Sequence, residues 1–426
     1  MSSNSTTSKP ADKAAVLAAA RQYKRENHLP LTVHPGGTWG RWCKKVNGRQ
    51  HHFGPIVPEA RDYGSAAALA EFHRTIDCIQ AGRKPRPKDD DLITLRDAVN
   101  AFLSAKAAMR DTGELTPRSW TNYHGTCGRI VHVLGKHRAV ADLDVADFRK
   151  LRTAFAKGRG PVSLGNEVRH SRIFFKWCYD EGLIDRPVRY GQAFDLPTPK
   201  TLRLARAARG PRMFEAAEVR LLLDKAGPVL KAQILLAINA AFGQSDLARL
   251  PKSAIEFKTG WIDHGRQKTG IARRCPLWEA TIAAVKAAIE VRPEPKDAKH
   301  NDLVFLTPTG LPVVRDVLST DKQKAAAGLT TPLDTIAPAF KKLMRAAKLD
   351  GNRAFYALRH TFQTIAEQTG DFPAVSAIMG HAPRAGDMSA VYRERIDDAR
   401  LVAVTNHVRA WLWPRRRVVR RKKATR

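Results

Sequence analysis

No stretch of apolar residues in this sequence approaches the roughly eighteen that a helix needs to span a bilayer. The first residues, MSSNSTTSKPADK, also lack the apolar core of a secretory signal peptide. Both absences argue against a secreted or membrane-spanning chain. We therefore expect a soluble, cytoplasmic protein.

Cysteine is scarce, with five residues in 426 and no CxxC pair. An odd number of scattered cysteines predicts neither a disulfide framework nor a zinc site. We expect reduced thiols in the core and no metal. The cysteines are Cys43, Cys78, Cys127, Cys178 and Cys275.

Acidic residues are few relative to basic ones, with 41 Asp and Glu against 73 Lys and Arg. The formal charge of +32 predicts a polyanionic partner. Double-stranded DNA is favoured over the competing membrane surface, because each neutralised phosphate releases condensed counterions. We therefore predict DNA and no membrane as the partner. A length of 426 residues, 43% of them hydrophobic, predicts a globular protein of two or three domains.

The N-terminal part contains two different patterns. Residues 1–30 form a polar segment, whereas residues 31–82 predict a small antiparallel sheet followed by a helix near residues 65–81. Cations gather on this sheet, and a basic β-ribbon can enter a DNA groove, so we predict a DNA-binding module. The alternative is a plain hairpin with solvated charges. The predicted DNA contacts are Arg41, Trp42, Lys44, Lys45 and Arg49.

A helical pattern dominates the rest of the chain. Residues 92–190 predict an all-helical domain, and residues 212–413 predict a second, mainly helical domain with a short hairpin near residues 261–277. The segment between them, residues 196–211, is basic and interrupted by Pro and Gly, which predicts a flexible linker along DNA. Its DNA contacts would be Arg203, Arg206 and Arg209. The predicted helices of the first domain are residues 95–108, 118–134, 145–155 and 164–181.

The fold class is therefore mainly α and multidomain, with a small β-sheet module at the N-terminus. The tail of residues 414–426, PRRRVVRRKKATR, is too basic and apolar-poor to fold and predicts a disordered, phosphate-binding end.

Three sequence boxes stand in order in the last domain: RQKTGIARRCPL, then YALRHTFQTIAEQTG, then AIMGHAP followed by SAVYRERI. They resemble the catalytic domain of tyrosine recombinases, the phage integrases. In this resemblance Lys268 is the hairpin lysine, Arg359 the box arginine and His381 the histidine of the Leu-Gly-His box. Tyr392, eleven residues after His381, is the nucleophile.

The resemblance is specific for residues 212–413. By position, helicity and charge alone, residues 92–190 are similar to the family's core-binding domain, and residues 31–82 to the arm-binding domain of some integrases. It implies a site-specific recombinase that cuts DNA through a 3′-phosphotyrosine and needs no cofactor, ATP or metal. It also implies a monomer that forms a tetramer on DNA, with accessory DNA-bending proteins as further partners.

The residue types suit that chemistry. A tyrosine with a pKa of about 10 needs neighbouring cations to attack as a phenolate. Arg359 would hold two phosphate oxygens with its planar fork, and Lys268 would protonate the leaving 5′-oxygen. His381 would hydrogen-bond a non-bridging oxygen. The alternatives are a packed aromatic for Tyr392, solvated charges for Arg359 and Lys268, and a helix cap for His381.

Two positions depart from the family pattern. In AAFGQSDLARL, Gly243 occupies the place of the first catalytic arginine, a loss comparable to deleting one oxyanion donor, about 3 kcal/mol. Arg249 and Arg273 are candidates to fill that gap. Tyr356 stands where the family has His or Lys. The site therefore lacks an acid/base group with a near-neutral pKa. The Tyr356 phenol can still donate a hydrogen bond, or it can act as a rival nucleophile.

Three other functions stay open. They are a catalytically silent DNA-binding regulator descended from an integrase, a type IB topoisomerase, and a transcription factor that binds through the β-ribbon. A last helix, residues 398–413, carries Leu401, Val404, Val408 and Trp411 on one face, which would dock on a neighbouring subunit or pack on its own domain.

Overall fold

The structure is a computed structural model. It describes residues 12–80, 92–326, 328–349, 353–382, 386–388 and 392–414. The chain divides into two compact units, residues 1–205 and residues 206–426. Most of the predicted tail, and the link between the first module and the helical domain, lie outside the described residues.

The first unit begins with a three-stranded antiparallel sheet in the order β1-β2-β3. The strands are β1 (Thr32–His34), β2 (Arg41–Val46) and β3 (Arg49–Pro55). Two helices, α1 (Lys13–Glu26) and α2 (Ser65–Gln80), pack with the sheet around one hydrophobic core. The sheet and α2 have the positions that the sequence predicts.

Helix α1 was not predicted from the polar, Ala-rich start of the chain. The Asp12 side chain caps it by accepting a hydrogen bond from the Ala14 amide at 3.0 Å. Val16, Leu17 and Ala20 lie on its buried face. The helix is rich in alanine, which gives little hydrophobic contrast between its buried and exposed faces. The helical periodicity of apolar residues is therefore weak in this part of the sequence.

The prediction that Trp42 contacts DNA is wrong. Its side chain is 0% exposed in the core, and its Nε1 donates to the Tyr63 carbonyl at 2.9 Å. The pairing register of β2 with β3 shifts between Trp42 and Cys43, and both residues are buried. A bulge of this kind breaks the simple alternation of faces that the prediction assumed.

The helical part of the first unit follows the prediction closely. Its main helices are α3 (Leu95–Asp111), α4 (Pro117–Leu134), α5 (Val145–Ala156) and α6 (Pro161–Asp180). Their apolar faces form a separate core rich in phenylalanine, including Phe102, Phe148 and Phe174. A buried ion pair, Arg138 Nη2 to Asp147 Oδ2 at 2.6 Å, fixes the start of α5.

Part of the basic segment of residues 196–211 is helical where flexibility was expected. Helix α7 (Pro199–Ala207) has no buried residue. Thr198 Oγ1 accepts from the Thr201 amide at 3.2 Å, and proline at the first position suits a helix start. The Leu, Arg and Ala residues that follow are strong helix formers, which outweighs the flanking Pro and Gly.

The second unit packs its helices around a single core. A three-stranded antiparallel sheet, β4-β5-β6, contains the predicted hairpin, and a second hairpin, β7-β8, was not predicted. The strands are β4 (Ile255–Glu256), β5 (Trp261–Asp263), β6 (Arg274–Pro276), β7 (Val314–Leu318) and β8 (Thr330–Asp334). The helices are α8 (Ala216–Lys225), α9 (Pro228–Asn239), α10 (Gln244–Ala248), α11 (Glu279–Glu290), α12 (Lys322–Ala326), α13 (Ile336–Ala346), α14 (Ala357–Ala366), α15 (Phe372–Met379) and α16 (Asp398–Leu412).

Helix α16 packs on its own unit. Leu401, Val404 and Val408 are at most 2% exposed within the core of the second unit, so this apolar face is not presented to a neighbouring subunit. The Trp278 indole also donates to the Thr405 carbonyl at 3.2 Å, which ties α16 to the start of α11.

All five cysteines are free thiols and buried, as predicted. Burial raises the pKa of Cys127 and of Cys178 to about 12. Among the described residues no group of His, Cys, Asp and Glu could hold a metal ion. No helix in the described ranges is long and apolar enough to cross a membrane.

Candidate active site

Arg359 lies at the centre of the site. It sits in the first turn of α14, which packs against α9, and is only 2% exposed. Its Nη1 donates to the Ala241 carbonyl, and its Nη2 donates to the Met379 carbonyl at 2.7 Å. The guanidinium is therefore held between the end of α9 and the end of α15, with its fork fixed from both sides.

His381 meets this guanidinium directly. Arg359 Nη2 lies 3.1 Å from His381 Nε2. Because arginine can only donate, Nε2 must accept, so the neutral ring carries its proton on Nδ1 and can donate from there. Burial, then the charges of Arg359 and Arg266, lower the pKa of His381 below 6.5. The histidine is therefore neutral at pH 7.

A left-handed glycine gives His381 its position. Gly380 ends α15 with φ +61°, and the His381 amide bonds back to the Ser376 carbonyl at 3.0 Å. A Cβ on Gly380 would lie 2.9 Å from the Cβ of Arg266. Glycine is thus needed here for two reasons: it adopts the left-handed conformation of the turn, and its lack of a Cβ lets the β5–β6 loop approach closely.

That loop carries the predicted lysine. Lys268 is exposed in the turn between β5 and β6. The next residue, Thr269, donates from Oγ1 to the Gly380 carbonyl at 3.0 Å. This hydrogen bond joins the loop of Lys268 to the sequence box of His381. No sequence pattern predicted it.

Two further arginines belong to this cluster. Arg266 is partly exposed in the loop, and Arg273, just before β6, is 3% exposed. Burial is the main reason that the pKa of Arg359 falls to about 10, and the charges of Arg266 and Arg273 lower it further, against Tyr356 and Asp246. The site thus concentrates positive charge.

The two departures from the family pattern are in contact. Gly243 precedes α10, and its amide donates to Asp246 Oδ2 at 2.8 Å. A Cβ built on Gly243 would lie 3.1 Å from Cε2 of Tyr356. The Tyr356 ring, 40% exposed, therefore covers the place of the first arginine.

Of the two arginines considered for that gap, the structure brings only Arg273 to it. Arg273 Nη2 lies 3.2 Å from Asp246 Oδ1, on the same carboxylate that holds the Gly243 amide. Arg249, at the end of α10, is exposed.

Tyr392 stands apart from this cluster. It is 78% exposed, the largest fraction among the large hydrophobic and aromatic side chains described as exposed. No hydrogen bond joins it to another described residue. The structure therefore brings together Arg359, His381 and the Lys268 loop but leaves the predicted nucleophile in solvent.

The other predicted DNA contacts are mostly exposed. In the first module, Arg41, Lys45 and Arg49 are exposed, while Lys44 places its ammonium 4.8 Å from the centre of the Phe72 ring. The remaining ones, Arg203, Arg206 and Arg209, are exposed on and after α7.

The sequence model of the phage integrase family matches residues 211–394. A lambda integrase tetramer bound to a Holliday junction is similar in fold, with a TM-score of 0.52 and 16% identity over 87% of this chain and 99% of that one. A Tn1549 transposon integrase in complex with transposon right end DNA has a TM-score of 0.52 and 15% identity, over 75% of this chain and 100% of that one. A lambda integrase dimer bound to a COC′ core site has a TM-score of 0.51 and 15% identity, over 87% and 97%.

At such identities these likenesses show the fold alone. No curated protein sequence matches this chain.

Proposed function

The chain belongs to the phage integrase family through its residues 211–394, and from this premise we propose that it is a site-specific DNA recombinase using Tyr392 as its nucleophile. The observation that carries the proposal is the convergence of three separate boxes. Arg359 Nη2 lies 3.1 Å from His381 Nε2, and Thr269 next to Lys268 bonds the Gly380 carbonyl at 3.0 Å.

The proposed reaction transfers one phosphodiester bond. The Tyr392 oxygen attacks the phosphorus and releases its phenolic proton to solvent, while the bond from phosphorus to the 5′-oxygen breaks. Lys268 donates a proton to that oxygen and recovers one from solvent. The 3′-phosphotyrosine keeps the bond energy, and a 5′-hydroxyl of a partner strand reverses the steps to reseal the DNA.

Arg359 and His381 would stabilise the phosphorane-like transition state. Arg359 uses one N–H of Nη1 and both of Nη2 within the protein, so the second N–H of Nη1 is the one that would donate to a non-bridging oxygen as negative charge builds there. The field of the cation cluster favours the phenolate form of Tyr392. His381, with its proton on Nδ1, donates a further hydrogen bond. Tyr356 adds a phenolic donor beside Arg359, in place of an acid/base group.

Charge over the whole chain supports DNA as the substrate. A formal charge of +32 favours phosphate binding that weakens steeply with salt. We assign backbone contacts to the predicted cations that are exposed, which are Arg41, Lys45, Arg49, Arg203, Arg206 and Arg209. Such contacts position the protein on DNA and read no sequence.

The proposed assembly is a tetramer that forms on DNA from monomers, aided by accessory DNA-bending proteins, in the cytoplasm at the nucleoid, the protein being of bacterial or phage origin. The support is the fold shared with a lambda integrase tetramer bound to a Holliday junction. Since the apolar face of α16 is buried in its own unit, subunit contacts have to come from other surfaces.

A suicide-substrate assay tests the proposal. The full chain and its Tyr392→Phe variant are incubated with nicked DNA that carries the ends of the element encoding the protein, and the products are run on a denaturing gel. We expect a covalent protein–DNA adduct with the wild type and none with Tyr392→Phe, which lacks the nucleophilic oxygen.

A second candidate, a DNA-binding regulator without activity, is favoured by Gly243 at the first-arginine position. It predicts retarded DNA and no adduct from either protein. An adduct that survives Tyr392→Phe but disappears with Tyr356→Phe would instead assign the nucleophile to Tyr356. Relaxation of supercoiled DNA without paired sites would indicate a type IB topoisomerase.

A further inference from the structure

Position 243 supplies no cation to the site. A glycine stands there, the Tyr356 ring would lie 3.1 Å from any Cβ, and the backbone amide is used by Asp246. The proposed reaction nevertheless builds negative charge on both non-bridging oxygens of the phosphate. Arg359 is then the only guanidinium that the family pattern provides.

Arg273, just before β6, places its guanidinium near Gly243, where the first arginine is missing. Its guanidinium carbon lies 4.0 Å from the centre of the Phe242 ring, its Nε donates to the His264 carbonyl at 3.0 Å, and its Nη2 lies 3.2 Å from Asp246. Its Cδ would be 3.5 Å from a Cβ on Gly380, the residue before His381. The charged group thus lies between the Gly243 turn and the His381 turn.

One nitrogen of this guanidinium is unused. Arg273 Nη1 is buried and has no hydrogen-bond partner among the described residues. A buried charged donor without a partner is costly, and such groups in native proteins call for a specific explanation. A ligand oxygen that arrives only with the substrate provides the missing partner.

We propose that Arg273 is a catalytic residue that replaces the arginine absent at Gly243, its Nη1 donating to a non-bridging oxygen of the scissile phosphate. This inference rests on the proposed function. Arg273 and Arg359 are similarly buried, at 3% and 2% exposed, so exposure does not favour one guanidinium over the other as a phosphate ligand.

The next residue provides a matched control. Strand alternation turns Arg274 outward, where it pairs with Asp263 at 2.7 Å and with Asp398 at 3.0 Å. Arg274, the first residue of β6, is thus the adjacent cation, and its ion pairs are with Asp263 and Asp398 and not with Asp246.

The experiment compares two substrates on the same protein preparation. One is the nicked suicide DNA with a normal scissile phosphate. In the other, a methylphosphonate replaces one non-bridging oxygen with a neutral methyl group, each diastereomer being used separately. The rate of adduct formation is measured at saturating protein for the wild type and for the Arg273→Ala, Arg273→Lys and Arg274→Ala variants.

We expect Arg273→Ala to lose on the order of 100-fold in rate on the phosphate, as when one oxyanion donor is deleted, and less than about tenfold on one methylphosphonate diastereomer. The reason is that the methyl group removes the charge that Arg273 would stabilise. Arg273→Lys keeps the charge without the fork, so its rate on the phosphate should lie between those of the wild type and Arg273→Ala. It replaces Arg273→Ala in the comparison if that variant does not fold. Arg274→Ala should keep the wild-type ratio of the two rates.

Equal losses on both substrates, or no loss on either, would show that Arg273 is a structural partner of Asp246 and overturn the inference. The ratio cancels any unfolded fraction, because both rates come from one preparation. A wild type that forms no adduct on any substrate would remove the proposed function itself, and the role of Arg273 with it.

Discussion

At the scale of single residues, Gly243 and Tyr356 form one local arrangement. The sequence shows each departure separately, but only the structure shows that the Tyr356 ring lies over Gly243, 3.1 Å from where a Cβ would stand. The glycine has φ −92°, which any residue adopts, so its backbone does not require glycine. The ring, not the turn, restricts what position 243 can hold.

We therefore predict that Gly243→Arg destabilises the protein, and that Tyr356→His removes most of the cost. Overpacking against a partly exposed ring should lower the free energy of unfolding by about 1–2 kcal/mol. In a double-mutant cycle followed by urea unfolding, the coupling should be about 1 kcal/mol in favour of the double variant.

Gly227→Arg is the matched control. Gly227 also stands at a helix start in the same unit, with φ −66° and no atom within 4 Å of an added Cβ. Gly227→Arg should therefore lower the free energy of unfolding by less than Gly243→Arg does. Additive effects of Gly243→Arg and Tyr356→His would mean that the ring does not restrict the position.

The sequence identified some of the site residues correctly and others not. Arg359 and His381 were identified from box order, and they do meet in space. Trp42 was misassigned because no sequence pattern revealed the bulge in β2. Arg273 could only be named as one of two candidates, since its side-chain direction depends on the hairpin register.

At the scale of elements, the long amphipathic helices were predictable and the short or unusual elements were not. Helices α3 to α6 carry clear apolar stripes and end within a few residues of their predicted bounds. Hairpin β7-β8 has mostly partly exposed residues, and α7 has no buried face, so hydrophobic spacing does not mark them.

The hydrogen bond from Thr269 to Gly380 makes the β5–β6 loop and the end of α15 act together. We predict that Thr269→Val slows adduct formation by about two- to tenfold, since one net hydrogen bond contributes about 0.5–1.5 kcal/mol. Valine keeps the shape and removes the hydroxyl, so Lys268 loses its anchor. The rate is measured on the suicide substrate at saturating protein, and DNA affinity by mobility shift should not change.

Thr364→Val serves as the comparison. Its hydroxyl donates to the His360 carbonyl within α14, at 2.9 Å and in an exposed position. Rates reduced equally by both substitutions would argue that Thr269 has no special role in positioning the loop.

At the scale of the whole molecule, histidine burial links stability to pH. Burial is the first cause of a lowered pKa in every histidine whose pKa shifts. These residues are His52, His124, His137, His170, His264, His360 and His381. Between each lowered pKa and the unfolded value of about 6.5, the unfolded chain binds more protons than the folded one. Stability is therefore lost as the pH falls through this window.

We predict a lower melting temperature at pH 5.5 than at pH 7.5, with the decline beginning near pH 6.5. The carboxylates with lowered pKa values, including Asp62, Glu218 and Asp371, stay charged over this range and lose their contribution only in stronger acid. A His264→Gln variant should show a shallower decline, because it removes one partly buried ring whose pKa is lowered by burial. A melting temperature that holds or rises at pH 5.5 would contradict the assignment.

The burial of all five thiols has a practical consequence for following this protein on DNA. Because attack on a labelling reagent requires an exposed thiolate, the native chain should remain unlabelled in its folded state. A cysteine introduced at an exposed position such as Lys45 or Lys268 would then be the single reactive group. A fluorophore or cross-linker could be attached there without first removing any natural cysteine, and the approach of each unit to a DNA duplex could be followed by its signal.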